Sequence, residues 1–216
     1  FEKDVYSLTF EQNSKQHQKE IAQSVMVIPI VVGLLSKKGV ELLTNKLIIL
    51  NKNKITVQFK NLKEKPIPSI LRNFSAPVTL SFPNSLKNNF TLLKHDTDLF
   101  NRWESGQTLS KIALQRLVCY GESISSEITK EFSLIIKDTN LDPAFRSLFS
   151  CSPAVQIISE QIKKEGHIIN PNLIIDAQKA FNIALAKALG DNLYKLFEEM
   201  NLRETYQPSS EQTGRR

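Results

Sequence analysis

The stretch from Lys65 to Gln107 reads KPIPSILRNFSAPVTLSF (65–82), PNSLKNNFTLLK (83–94) and HDTDLFNRWESGQ (95–107), and along it the pattern changes from strand to helix. Pro66, Pro68 and Pro77 each remove a backbone donor and fix φ. The first part is therefore expected to run extended and partly unpaired, with short strand character around Val78 to Phe82. The last part does the opposite. Asp98 is a good N-cap, and Leu99, Phe100 and Trp103 begin an apolar face that continues through Leu109, Ile112, Ala113, Leu117 and Tyr120 at helical spacing.

Upstream of this stretch the chain reads as strands. In Val5 to Gln12, Tyr6, Leu8 and Phe10 alternate with Ser7, Thr9 and Glu11, the pattern of a half-buried antiparallel strand. Residues 13–23 are polar and predict a loop. Val25 to Leu35 is a near-continuous apolar run, which suits a strand covered on both faces. Leu42-Leu43, Leu47 to Leu50 and Ile55 to Phe59 predict three further short strands, separated by Asn45-Lys46 and by Asn51 to Lys54.

Downstream almost every segment has helical period. Ser85 to Lys94 puts Leu86, Phe90 and Leu93 on one face, and Ser125 or Ser126 caps a segment with Ile128, Phe132 and Ile135 or Ile136. Asn140 to Pro143, Ser152-Pro153 and Asn170-Pro171 each read as a capped start with proline at the first helical position. Asp191 begins the last clear helix, which carries Leu193, Tyr194, Leu196, Phe197 and Met200. Short helices joined by brief loops predict stacked antiparallel hairpins, although no repeat of fixed period is visible.

With 216 residues and 41% apolar content, the chain can bury one large core or two smaller ones, and two fit this pattern better. The net charge of +6 comes from 28 basic residues interleaved with 22 acidic ones. Lys37-Lys38, Lys163-Lys164 and Arg215-Arg216 are pairs rather than stripes, so nucleic-acid binding has no support. Cys119 and Cys151 belong to no metal motif, and Cys119 on the apolar helix face reads as a buried reduced thiol. Val25 to Leu35 is too short for a membrane span and is broken by Pro29 and Gly33. A soluble, cytoplasmic protein without nucleic-acid or membrane partners is the expectation. The opening at Phe1, inside strand-like sequence, reads as a cut from something longer.

The run from Lys65 to Pro77, followed by His95-Asp96 and by Asn101 to Gln107, resembles the later part of bacterial aminopeptidase N, the zinc-dependent alanyl aminopeptidases of the gluzincin class. The segment Leu141 to Phe145 is similar to that family too. Members usually carry Ala where this chain has Ser105. The resemblance implies an immunoglobulin-like β-sandwich, residues 1–82, followed by the first part of an α-helical, hairpin-built and solenoid-like domain, residues 83–216. It also implies a parent enzyme that removes N-terminal residues from peptides with zinc. In such a parent these two domains would brace the catalytic domain and help enclose its peptide chamber. The family would continue into further helices, so exposed apolar surface near Phe181 to Phe197 is expected to be covered by self-association or crystal contacts.

The zinc chemistry itself needs two His one helical turn apart with a Glu between them. No H-E-x-x-H occurs, and His17, His95 and His167 are isolated. No catalytic, cofactor or metal residue is therefore assigned in this chain, and the catalytic domain is expected upstream. His95-Asp96 with Asp98 sit too close together in a capping loop to converge on one ion. The residues singled out are structural and flank the domain junction: Pro66, Pro68, Arg72 and Pro77 on one side, and Asp98, Asn101, Arg102, Trp103, Glu104 and Gln107 on the other. Arg102, Trp103 and Glu104 read either as a recognition surface or as a structural contact, with Trp103 tucked against the sandwich and Arg102 and Glu104 bonded to the Pro66–Pro77 segment. The structural reading is preferred because both motifs flank the boundary. It predicts a loss of about 3–5 kcal/mol for Trp103→Ala. The competing class is an independent protein-interaction module with no enzyme attached.

Overall fold

Alternation of apolar and polar side chains forms β1 (Tyr6–Glu11), whose Tyr6, Leu8 and Phe10 are buried while Ser7, Thr9 and Glu11 face out. It pairs antiparallel with β4 (Lys54–Phe59) in the register Tyr6↔Phe59 to Glu11↔Lys54. A second sheet has the order β3-β2-β5, with β2 (Ile28–Leu35) between β3 (Glu41–Leu50) and β5 (Ile67–Ile70), antiparallel to both. Residues from both sheets, including Leu8, Phe10, Phe59, Val32, Leu34, Ile48 and Ile70, form one core. The structure, a computed structural model, describes residues 1–13 and 25–200.

Two strand expectations are corrected. Leu42-Leu43 and Leu47 to Leu50 belong to one continuous strand, because the pairing absorbs the polar Asn45-Lys46 step in an irregularity. Val32 pairs with Lys46 and Leu34 with Leu43, so Gly33 alone faces both Thr44 and Asn45, as in a β-bulge. Val78 to Phe82 is not a strand. The strand of this region lies earlier, at Ile67–Ile70, and it contains Pro68. Its place at the sheet edge explains this, since an edge proline need not donate to the ladder. Val25 to Val27 precede β2 and are exposed, so the apolar run is longer than its strand.

Seven helices lie among the described residues. They are α1 (Leu86–His95), α2 (Leu99–Tyr120), α3 (Ser126–Lys137), α4 (Pro143–Ser147), α5 (Val155–Lys164), α6 (Pro171–Leu189) and α7 (Asn192–Met200). The caps expected at Ser125 (or Ser126), Asp142 and Asn170 are found at Ser125, Asp142 and Asn170, each accepting a backbone N–H at the helix start, and Ser85 caps α1 in the same way. The Ser152-Pro153 start is corrected. Ala154 is the N-cap of α5 and makes no side-chain cap, and Pro153 is turned inward to burial just before it.

The chain divides into two compact units, Phe1–Ser105 and Gly106–Arg216. The first holds the two sheets, α1 and the start of α2. In the second, Phe132 meets Phe149 and Phe181 edge-on, with ring centroids 5.3 and 5.9 Å apart. These three rings are fully buried together with Ile158, Ile162 and Ile174. No helix among the described residues is long and apolar enough to cross a membrane. Part of the polar 13–23 loop and the 201–216 tail fall outside the described residues.

Candidate functional site

Around Arg72 the backbone does something costly. Leu71, Asn73 and Phe74 all have positive φ, at 64°, 56° and 49°. Non-glycine residues pay of order 1–3 kcal/mol each in that region, and persist there only when their surroundings hold them. The effect is a tight turn after the edge strand β5 that sends the Arg72 side chain back beneath the sheet. Arg72 is 1% exposed.

The guanidinium is met from several elements at once. Its Nε donates to Ser69 Oγ at 2.9 Å, and Nη2 donates to Asp96 Oδ1 at 2.8 Å. Its Nη1 donates to Glu41 Oε1 and to the Thr44 carbonyl. Thr44 lies where the β2–β3 ladder is irregular, so the bulge supplies a carbonyl to the arginine. A Cβ built on Gly33 would overlap the guanidinium, which is why a glycine interrupts the apolar run of β2. Gly39, at φ +82°, similarly leaves room for the His95 ring.

Asp98 caps α2 as expected, its Oδ1 accepting from Asn101 N at 2.8 Å, while Oδ2 accepts from Asn73 N at 2.8 Å. One carboxylate thus starts a helix and holds a strained turn. Asn101 Nδ2 donates to Ser69 Oγ at 2.7 Å. Ser69 Oγ thus accepts from both Arg72 and Asn101. Thr97 Oγ1 donates to Glu41 at 3.0 Å and Asp98 N to Asp96 Oδ1 at 3.0 Å.

The two carboxylates paired with Arg72 respond oppositely. The hydrogen bond from Arg72 holds Glu41 below the usual carboxylate range. Burial pushes Asp96 up, outweighing Ser69, the Asp98 N–H and the Arg72 charge, and the Asp98 charge adds to the rise.

Of the junction residues read from the sequence, the structure brings Arg72, Asp98 and Asn101 into this one network. Pro66 and Pro68 are buried beside it, and Pro77 is exposed. Arg102 is half-buried and donates Nε to the Leu93 carbonyl at 3.0 Å. Trp103 is half-buried, its ring 6.0 Å from Phe100, which lies 5.1 Å from the exposed Phe74. Glu104 is exposed, and Gln107 is half-buried in the second unit. The sequence reading missed Glu41, Ser69 and Asp96 as partners. The signal that points to them is Gly33 inside an apolar strand, a mark of close approach by another group.

The residues present do not suit zinc. Asp96 and Asp98 are engaged by Arg72 and by backbone N–H groups, and the His95 ring packs on Gly39. His167 Nε2 is 3.0 Å from the Tyr120 hydroxyl, and no group of three or more candidate ligands gathers among the described residues. Cys119, expected buried, is half-buried, and its thiol is pushed up first by that burial. What the Arg72 cluster can do is clamp: it ties β3, β5, the strained turn, the α1–α2 corner and the start of α2 together.

Comparison with known proteins agrees with the two-part reading. Residues 1–83 match a domain of unknown function (DUF3458) described as an Ig-like fold, and residues 87–216 match one (DUF3458_C) described as ARM repeats. Aminopeptidase N of Caulobacter vibrioides is 30% identical over 187 residues, covering 86% of this chain and 21% of its own length. Aminopeptidase N of Escherichia coli is 24% identical over 227 residues, covering 100% of this chain and 26% of its own. A crystal structure of Legionella pneumophila aminopeptidase A in complex with aspartic acid matches in fold, with a TM-score of 0.74 and 24% identity over 98% of this chain and 25% of that one. The chain spans about a quarter of the length of the relatives it matches, and the resemblance to bacterial aminopeptidase N is found again at the level of whole-chain similarity. With a helical stack matched over residues 87–216 and an Ig-like DUF3458 match before it, the chain belongs to the DUF3458_C family, described as ARM repeats.

Proposed function

We propose that this chain is a non-catalytic portion of a cytoplasmic zinc aminopeptidase that removes N-terminal amino acids from peptides. Its sandwich and helical stack brace the catalytic domain of the same polypeptide and help enclose the peptide chamber. The observation that carries this reading is the alignment: 86–100% of the chain matches aminopeptidase N of two bacteria, yet spans only 21–26% of their length. The Arg72 clamp supports it, since a cluster spent on holding segments together suits a brace. Junction residues Pro66, Pro68, Arg72, Pro77, Asp98, Asn101, Arg102, Trp103, Glu104 and Gln107 serve that bracing role, and zinc is held by residues outside this sequence.

The test compares this chain with the longest reading frame that contains it, by zinc content and by cleavage of an N-terminal alanine. The expected result is zinc and activity in the longer protein only. A longer protein that is inert and metal-free overturns the reading in favour of the independent interaction module. The exposed, strain-held Phe74 ring is the feature that favours that alternative.

A further inference from the structure

Within the Arg72 cluster one polar atom has no partner. Asp96 Oδ1 accepts from Arg72 and from Asp98 N, but Asp96 Oδ2 is buried with no hydrogen bond, and the side chain is 0% exposed. Its neighbour carboxylates are better served. Asp98 has an N–H on each oxygen, and Glu41 has Arg72 and Thr97. The guanidinium is paired with two of these carboxylates, Glu41 and Asp96, and of the two Asp96 is the one whose unbonded oxygen is buried.

A buried, unpartnered half of a carboxylate is expensive, whereas the neutral acid is far cheaper to bury. We propose that Asp96 is the protonation site of this junction, taking up a proton on its buried, unpartnered Oδ2, so that the fold around the Arg72 cluster gains stability on mild acidification. The charged and titratable groups around Asp96 are Arg72 from the turn after β5, Glu41 from β3, Asp98 from the cap of α2, and Lys94 and His95 from the end of α1. Both of the last two are exposed. Ser69 from β5 and Asn101 from α2 are the uncharged polar groups of the cluster, with Asn101 donating to Ser69 and Ser69 accepting from Arg72.

The direction of linkage follows. A carboxyl whose folded pKa lies above its unfolded value adds stability that is complete below the ordinary value of 3.8 and is lost as pH rises through the folded value. Glu41 works the other way, so the readout must isolate Asp96. Two measurements on the 216-residue chain do so. The first follows the carboxyl carbon of Asp96 by NMR during a pH titration; a midpoint above 3.8 is expected. The second compares urea unfolding of wild type and Asp96→Asn between about pH 4 and pH 8. Wild type should lose stability relative to the variant as pH rises.

An Asp96 midpoint at or below 3.8, as a bound water on Oδ2 would give, overturns the proposal, as do parallel stability curves for the two proteins. If Asp96→Asn does not fold, the NMR midpoint of the wild-type chain decides alone.

Discussion

Each unit buries an arginine, and the two are treated differently. In the first, Arg72 is surrounded by Ser69, Glu41, Asp96 and the Thr44 carbonyl, and all of these but the nearby Ser69 come from segments 24 to 31 residues away. In the second, Arg146, at 6% exposure, donates Nη1 to the Ile136 carbonyl at 3.2 Å while its Nε has no partner. There the burial around it is aromatic and aliphatic, centred on Phe132, Phe149 and Phe181. The contrast separates two ways to hold a fold. Directional ion pairs fix one arrangement of the chain and tolerate no missing partner, whereas apolar packing holds many residues weakly and absorbs a lost polar contact.

The largest expected effect tests that contrast directly. Arg72→Met removes the cation and leaves buried Asp96 and Glu41 without it, which should cost about 3–5 kcal/mol. Arg146→Met replaces an incompletely bonded buried cation by an apolar side chain and should cost less than about 1.5 kcal/mol. Trp103 is the only tryptophan, and it lies in the first unit, so its emission reports the first variant. Hydrogen exchange at α3 reports the second. Equal losses in the two variants would remove the distinction between the units.

A smaller effect sharpens it at the helix caps. Asp98 holds both the start of α2 and the strained Asn73, while Ser125 caps α3 through the Glu127 N–H at 3.2 Å. Asp98→Ala should cost about 2–3 kcal/mol, a cap plus the charged hydrogen bond that holds the Asn73 turn. Ser125→Ala, a lone cap, should cost about 1 kcal/mol. Urea midpoints of the two variants measure the difference. A loss no greater than that of Ser125→Ala would mean that the Asn73 turn is held without Asp98.

Most helical caps were legible because capping is local: Asp98, Ser125, Asp142 and Asn170 act on N–H groups two or three residues ahead. The β1 alternation was legible for the same reason. Two features were not. The single strand β3 depends on what faces it, since the irregularity opposite Gly33 absorbs Thr44 and Asn45 while Lys46 pairs with Val32. The clamp depends mostly on residues far apart in sequence, so Arg72 could be singled out from its surrounding motif while Glu41 and Asp96 could not. Pro68 misled for a related reason, because a proline is compatible with a strand only at an edge, and edges are a property of the sheet.

The smallest effect concerns acid. Glu41 is 24% exposed at its side chain, and the hydrogen bond from Arg72 is the main reason its carboxyl sits below the ordinary 4.5. A carboxylate with a depressed folded pKa adds stability that is complete above 4.5 and fades as pH falls through the folded value. Glu41→Gln should therefore show its full loss at neutral pH and approach wild type in stability as the solution is acidified below 4.5. Asp96→Asn is expected to move in the opposite sense, so the two variants of one arginine's partners should diverge with pH. Arg146, bonded to a carbonyl, has no such pair of partners to oppose, and Arg146→Met should leave the shape of the pH curve unchanged. Urea midpoints across the acid range for the three variants decide it. Parallel curves for Glu41→Gln and wild type would mean that the Arg72–Glu41 bond adds no stability, and the clamp would then rest on Asp96, Ser69 and the Thr44 carbonyl.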